Sequence, residues 1–252
     1  MKALPIFGGK FRSTEEGDRQ LSSMNRTAKI AGLFYLIFVI LLPLATTIRS
    51  QLIVLGDAAA TAQKITANEL LFRISFLTEL VSALFFVLAA WALYALLKKV
   101  NKNLALLFLL LNLCGVAIEC MSVLNLSTAL SLLNGADYLT VFSTGQLQAQ
   151  ALWHVDMYNN GFMIAQIFFG AWLLPLGYLV YRSGFLPRFL GILLIVDFFG
   201  VLIWFLQFFL LPEADVIIYP GLAAGFIAEV SLTLWLLVKG VKENGLSPVE
   251  GG

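Results

Sequence analysis

The chain has 252 residues, of which 60% are hydrophobic and only 12% charged, and its formal net charge is +1. Soluble domains carry about a quarter charged residues, so this composition excludes an ordinary soluble fold and requires surface that faces lipid. The near-neutral balance gives no basis for a nucleic-acid partner, and a single histidine with two cysteines excludes a zinc site of the usual His/Cys type.

Residues 1 to 29 mix both charges without an apolar core and are not expected to form a signal peptide. Met24-Asn25-Arg26 directly precedes the first apolar run. Residues 1–23 are therefore expected to be a dispensable, disordered extension, residues 24–242 the domain, and 243–252 a disordered cytoplasmic tail. Ile30 to Ile48 predicts the first span, flanked by Lys29 and Arg49. In the following loop Gly56-Asp57-Ala58-Ala59-Ala60 places an aspartate N-cap ahead of an alanine-rich stretch, which predicts a short surface helix from about Asp57 to Asn68. The second span runs from about Leu71 to Leu97 and ends at Lys98-Lys99. The third runs from Leu104 to Leu126, extendable to Leu133 before the turn signal Asn134-Gly135.

The fourth span, Leu147 to Tyr181, starts in the polar run Leu152-Trp153-His154-Val155-Asp156-Met157-Tyr158-Asn159-Asn160, with a kink expected at Pro175. Phe189 to Leu211, stopped by Pro212, is the fifth, and Gly221 to Val238 the sixth. The fold class is thus an all-α membrane protein: a six-transmembrane-helix bundle with a short outer surface helix between the first two spans. Of the sixteen Lys and Arg, only Arg49, Lys64 and Arg73 lie at one end of the spans; the others lie at the end that holds both termini. That asymmetry predicts cytoplasmic termini.

Several segments resemble a bacterial integral-membrane family catalogued as a domain of unknown function. They are Asn25-Arg26, Ile30-Ala31-Gly32-Leu33 with Tyr35-Leu36, Gly56-Asp57-Ala58-Ala59-Ala60-Thr61, Phe72-Arg73 and Val100-Asn101-Lys102. Gly135-Ala136-Asp137-Tyr138-Leu139, Gly184-Phe185-Leu186-Pro187-Arg188 and Glu229-Val230-Ser231-Leu232 continue the likeness. The resemblance covers roughly residues 25 to 242. It implies one six-helix domain in a bacterial cytoplasmic membrane and brings no catalytic residues with it.

Every span after the first carries an acid inside its apolar run or at its polar end: Glu79, Glu119, Asp156, Asp197 and Glu229. A charge at the bilayer centre costs ~2.5–3.5 kcal/mol on insertion scales, so these side chains are expected to point inward, find partners or hold a proton. Counting ~1.5 Å per residue from the cytoplasmic ends puts Asn112, Asp197 and Glu229 about 13–14 Å deep, near the midplane. The same count puts Glu119 and Glu79 at ~24–27 Å, and Arg73 and Asp156 at ~36–38 Å. Arg73 is expected to contact Asp156 or Glu79. Asp197 and Glu229, on consecutive antiparallel spans, are expected to face each other and share a proton, with Asn112 as a hydrogen-bonding neighbour. Asn112 and Glu119 share one helical face, and Asp156 shares a face with Asn160, whereas His154 points nearly opposite to Asp156. Cys114 and Cys120 are too far apart along a helix for a disulfide and read as two buried thiols.

Bland readings stand beside these. The fourth span overshoots the bilayer, so His154 and Asp156 can be wet, and Arg73 and Glu79 can snorkel to the interface. Asp197 and Glu229 are too short and too deep for that. Three functions remain open. The first is binding or transport of a small solute or ion through a polar cavity lined by Arg73, Glu79, Asn112, Glu119, His154, Asp156, Asn160, Asp197 and Glu229. The second is a scaffold whose polar residues only join helices. The third, placed last because the acids are spread in depth, is an intramembrane enzyme acting on a lipid-like substrate. No cofactor or catalytic residue is assigned. The expected partners are the lipid bilayer and a small-molecule or ion ligand, with no nucleic acid.

Overall fold

The computed structural model describes residues 8–242, and the expectations for residues 1–7 and 243–252 lie outside them. The elements are α1 (Gly8–Ser50), α2 (Ala58–Ala67), α3 (Glu69–Leu97), α4 (Lys102–Leu133), α5 (Thr144–Arg182), α6 (Arg188–Leu210) and α7 (Tyr219–Val238), with short 3-10 turns at 137–139 and 215–218. All but α2 are long and apolar enough to cross a membrane. They are the six spans read from the sequence, each within a few residues except at the start of α1. From Gly8 that helix is continuous with the first span. Adding turns to an existing helix needs no new nucleus, and Leu21 and Met24 pack against the core.

Polar residues at the loop edges set the helix starts. Asp57 caps α2 by accepting from the Ala60 N–H at 2.9 Å, and Asn101 caps α4 by accepting from Leu104 at 3.0 Å. Ser143 and Gln146 form a reciprocal capping box at α5, in which the Ser143 N–H donates to Gln146 Oε1 at 2.8 Å. These side chains satisfy N–H groups that have no partner within their own helix.

The six long helices form a closed ring in chain order, α1 against α3, α4, α5, α6 and α7 in succession, with α7 returning to α1. Short loops favour this, because consecutive antiparallel helices become neighbours. Small residues draw the helices together. A Cβ at Gly221 on α7 would stand 2.7 Å from the Cα of Gly200 on α6, and one at Gly177 on α5 would stand 2.8 Å from the Gly191 carbonyl on α6. At the basic end of the bundle the Val241 N–H donates to Asn25 at 2.8 Å and the Lys242 N–H to the Phe185 carbonyl at 2.9 Å. These bonds tie α1, the α5–α6 loop and the chain after α7 together. At the opposite end α2 lies across α3, α4 and α5, burying Thr61, Ala62 and Ile65.

The middle of the ring is aromatic. Phe38 and Phe86 stack with centroids 3.9 Å apart, and Trp172 meets Phe86 edge-on at 5.0 Å. Tyr35, Phe108 and Phe169 extend the same cluster. Cys114 is exposed and Cys120 half-buried, so the two-buried-thiols expectation is corrected: Cys114 shares the outward side of α4 with Leu107, Leu110, Met121 and Leu124.

Candidate functional site

Two polar centres sit inside the ring, one near its α2 end and one near mid-depth. The first is built on Arg49. Residues 35, 38, 42, 45 and 49 fall on one face of α1, the face that turns inward, and α1 continues one residue past Arg49. Arg49 is therefore buried, with 4% of its surface exposed. Its Nη1 donates to Glu79 Oε2 on α3 at 2.7 Å, and its Nη2 donates to Tyr158 Oη on α5 at 2.5 Å. Tyr158 in turn donates to Glu79 Oε1 at 2.7 Å, and Arg49 Cζ lies 4.3 Å from the Tyr158 ring centroid. Both carboxylate oxygens of Glu79 and the tyrosine hydroxyl are thus engaged, which a buried ion pair needs if attraction is to offset lost hydration. Leu52, Ile65, Phe72, Leu126, Leu130 and Val155 form an apolar cap at this end.

Glu119 on α4, also buried, lies within electrostatic reach of Glu79 and Arg49, while the guanidinium itself pairs with Glu79. Glu119 Oε2 has no hydrogen-bond partner among the described residues. Neither has the Asn112 amide, fully buried seven residues earlier on the same face.

The second centre is acidic. Tyr35 on α1 donates to Glu229 Oε1 on α7 at 3.0 Å. Asp197 on α6 lies against Gly225, where any Cβ would collide with its carboxyl. Gly225 and Glu229 are one turn apart on α7 and so share a face. The two carboxyls therefore reach α7 a single turn from each other. Both line a cavity of about 620 Å³ between α1, α5, α6 and α7. Its walls are largely apolar, with the aromatic side chains of Phe38, Phe86, Phe169, Trp172 and Trp204 among them, and Gln166 and Thr46 add further side-chain polarity. α1 and α7 meet at Gly32 and Leu237 toward the basic end. Toward the α2 end the same helices form the two sides of the cavity through Leu42, Pro43, Gly221 and Leu222.

Along α1 the two centres are separated by the 14 residues from Tyr35 to Arg49, about 21 Å at 1.5 Å per residue. The Phe38–Phe86 stack lies at the levels between them, and both rings also line the cavity, which reaches Thr46, three residues before Arg49.

Among the individual expectations, Glu79 and Glu119 come together and Asp197 and Glu229 come together, whereas Asn112 bonds to neither acid of the mid-depth pair. Arg73 does not contact Asp156 or Glu79. It pairs with Glu69, one turn earlier on the same helix face, through Nε at 2.8 Å and Nη2 at 2.5 Å, and both side chains are exposed. α3 begins at Glu69, so Arg73 lies in its first turns and has a partner within its own helix. Asp156 and Asn160 are exposed. His154 is half-buried, with Nδ1 3.0 Å from Asn125 Oδ1.

Arg49, Tyr158 and Tyr35 were not among the residues singled out from the sequence. Arg49 read as a flanking charge because the apolar run stops at Ile48, although its place on the 35–38–42–45 face was available as a signal. Tyr158 shares a face with Ala151, Val155, Phe162 and Phe169, and the polar residues beside it concealed that pattern.

The family profile described as Domain of unknown function (DUF4386) matches residues 30–240. An uncharacterized protein of Archaeoglobus fulgidus is 32% identical over 156 residues, covering 62% of this chain and 77% of its own length. No solved structure matches.

Proposed function

The chain belongs to the DUF4386 family, and from its cavity we propose that this multi-pass membrane protein binds a small lipid-soluble solute and moves it across the membrane. The observation that carries this reading is the Asp197–Glu229 pair on the wall of a cavity of about 620 Å³. Helices that only needed to be joined would spend their buried acids on one another or on a base, as Arg49 and Glu79 do. Two acids facing an aromatic cavity instead supply convergent polar groups in an apolar pocket, the usual make-up of a small-molecule site, and the volume falls in the range of ~300–1,000 Å³ common for such sites.

With the termini cytoplasmic, as the basic residues argue, the cavity lies toward the outer half of the bundle. Transport then consists of loading the acid pair from that side and releasing the solute past the Gly32 contact of α1 and α7. Protons replace the solute on the carboxyls when it leaves, because two adjacent buried carboxylates without a counter-charge are costly. The Arg49–Glu79–Tyr158 centre supports a structural role for its own end of the bundle.

Thr46 lines the cavity on α1, and a tryptophan there intrudes on its space. Gentle purification followed by mass spectrometry is expected to find a small molecule retained by the wild type and lost from Thr46→Trp at unchanged thermal stability. A wild type that retains nothing, and whose melting temperature no lipid-soluble solute raises, contradicts the reading.

A further inference from the structure

Resting on the reading that the cavity binds a ligand, we propose that it is a site for a lipophilic organic monocation, an amine or quaternary ammonium with an apolar body. The charged groups that line it are all acidic. Asp197 and Glu229 contribute carboxyls, Gln166 and Thr46 are neutral, and no Lys, Arg or His is among the described residues of the lining. Arg49 is already held by Glu79 and Tyr158. An anion would meet two acids with no base to compensate them, and a neutral solute would leave the protons on the carboxyls and make no use of the charge they carry once deprotonated.

A bare metal cation fits no better. Hard cations such as calcium take about six to eight oxygen ligands, and this lining is built mainly of Phe, Trp, Leu and Gly. An organic cation has both properties the lining offers to satisfy. A quaternary ammonium carries a weakly hydrated charge spread over carbon and a protonated amine adds N–H donors for the carboxyls, and the faces of Trp172, Phe86 and Phe38 attract either. The cation's apolar body replaces lipid contacts with contacts to the aromatic walls.

The acids are also placed for this. Tyr35 occupies Oε1 of Glu229 at 3.0 Å and leaves Oε2 for a ligand. Gly225, by lacking a Cβ, lets the Asp197 carboxyl lie against α7 one turn away. A single ammonium group can then sit beside both.

The test uses the full chain in lipid nanodiscs and two probes of one shape, benzyl(trimethyl)ammonium and its neutral carbon isostere neopentylbenzene. Equilibrium dialysis measures each, with binding to empty nanodiscs subtracted. Glu229→Gln and Asp197→Asn keep the side-chain shapes and remove the charge. Each is expected to weaken the ammonium probe by at least about tenfold, since removing the charge partner of a buried cation is costly. The neutral probe should change by less than about twofold. If either substitution weakens both probes equally, or leaves both unchanged while Thr46→Trp abolishes both, the cavity binds ligands but the cation class is overturned. If the wild type binds neither probe, the binding reading fails with it.

Discussion

The two buried polar centres use similar side chains to opposite ends. At Arg49 a base, an acid and a tyrosine from three helices engage one another under an apolar cap, with the neighbouring Glu119 Oε2 left without a partner among the described residues. At Asp197 and Glu229 two acids and a tyrosine from three helices converge without a base, and the surface they leave over faces a cavity. A charged group inside a membrane protein therefore says little by itself about function. What separates a strut from a site is whether its hydrogen-bonding capacity is used up within the protein.

The comparison is broken most severely at the strut. Arg49→Leu leaves Glu79 buried without its partner and is expected to cost about 3–5 kcal/mol, read as a large fall in melting temperature in detergent. Adding Glu79→Leu should recover most of the loss, because the uncompensated charge goes with it. A double variant no more stable than Arg49→Leu alone would show that the pair is not what holds this end together.

Gly200→Leu comes next. It forces α6 from α7 at Gly221, where the backbones touch, and should cost about 1–3 kcal/mol as overpacking does. It also narrows the cavity that Gly200 lines, so stability and solute retention should fall together, both measurable on one purified sample.

Glu229→Gln is expected to cost less than about 1 kcal/mol, since the amide oxygen still accepts from Tyr35. Its thermal melt should stay near wild type while ammonium binding is lost. The same acid-to-amide change at Glu79 should lower the melting temperature clearly, and equal effects at the two positions would erase the distinction between strut and site. Arg73→Ala should change stability by no more than about 0.5 kcal/mol, because its bond to Glu69 is exposed.

The bundle was legible in the sequence because apolar run length, basic flanks and capping residues act locally. Asp57, Asn101 and Ser143 sit where a helix start needs an acceptor. The pairing of Asp197 with Glu229 was also accessible, since equal depth on adjacent antiparallel helices brings two residues together without further information. The partner of Glu79 was not. Depth counting ranked Arg73 as its candidate base, yet depth carries no azimuth, and Arg73 faces outward while Arg49 faces inward on another helix. The cavity was equally hidden, because it arises where α1 and α7 meet at Gly32 and flank open space farther along. Single-helix patterns do not encode that divergence.

The central claim is that a ligand meets the Asp197–Glu229 pair and not the Arg49–Glu79 centre. Infrared difference spectroscopy of the carboxyl bands on adding benzyl(trimethyl)ammonium tests it most directly. The account predicts a carboxyl signal in wild type that is lost or altered in Asp197→Asn and Glu229→Gln and is unchanged in Glu79→Gln. A signal that persists in both mid-depth variants and vanishes in Glu79→Gln would place the ligand at the other centre and contradict the account.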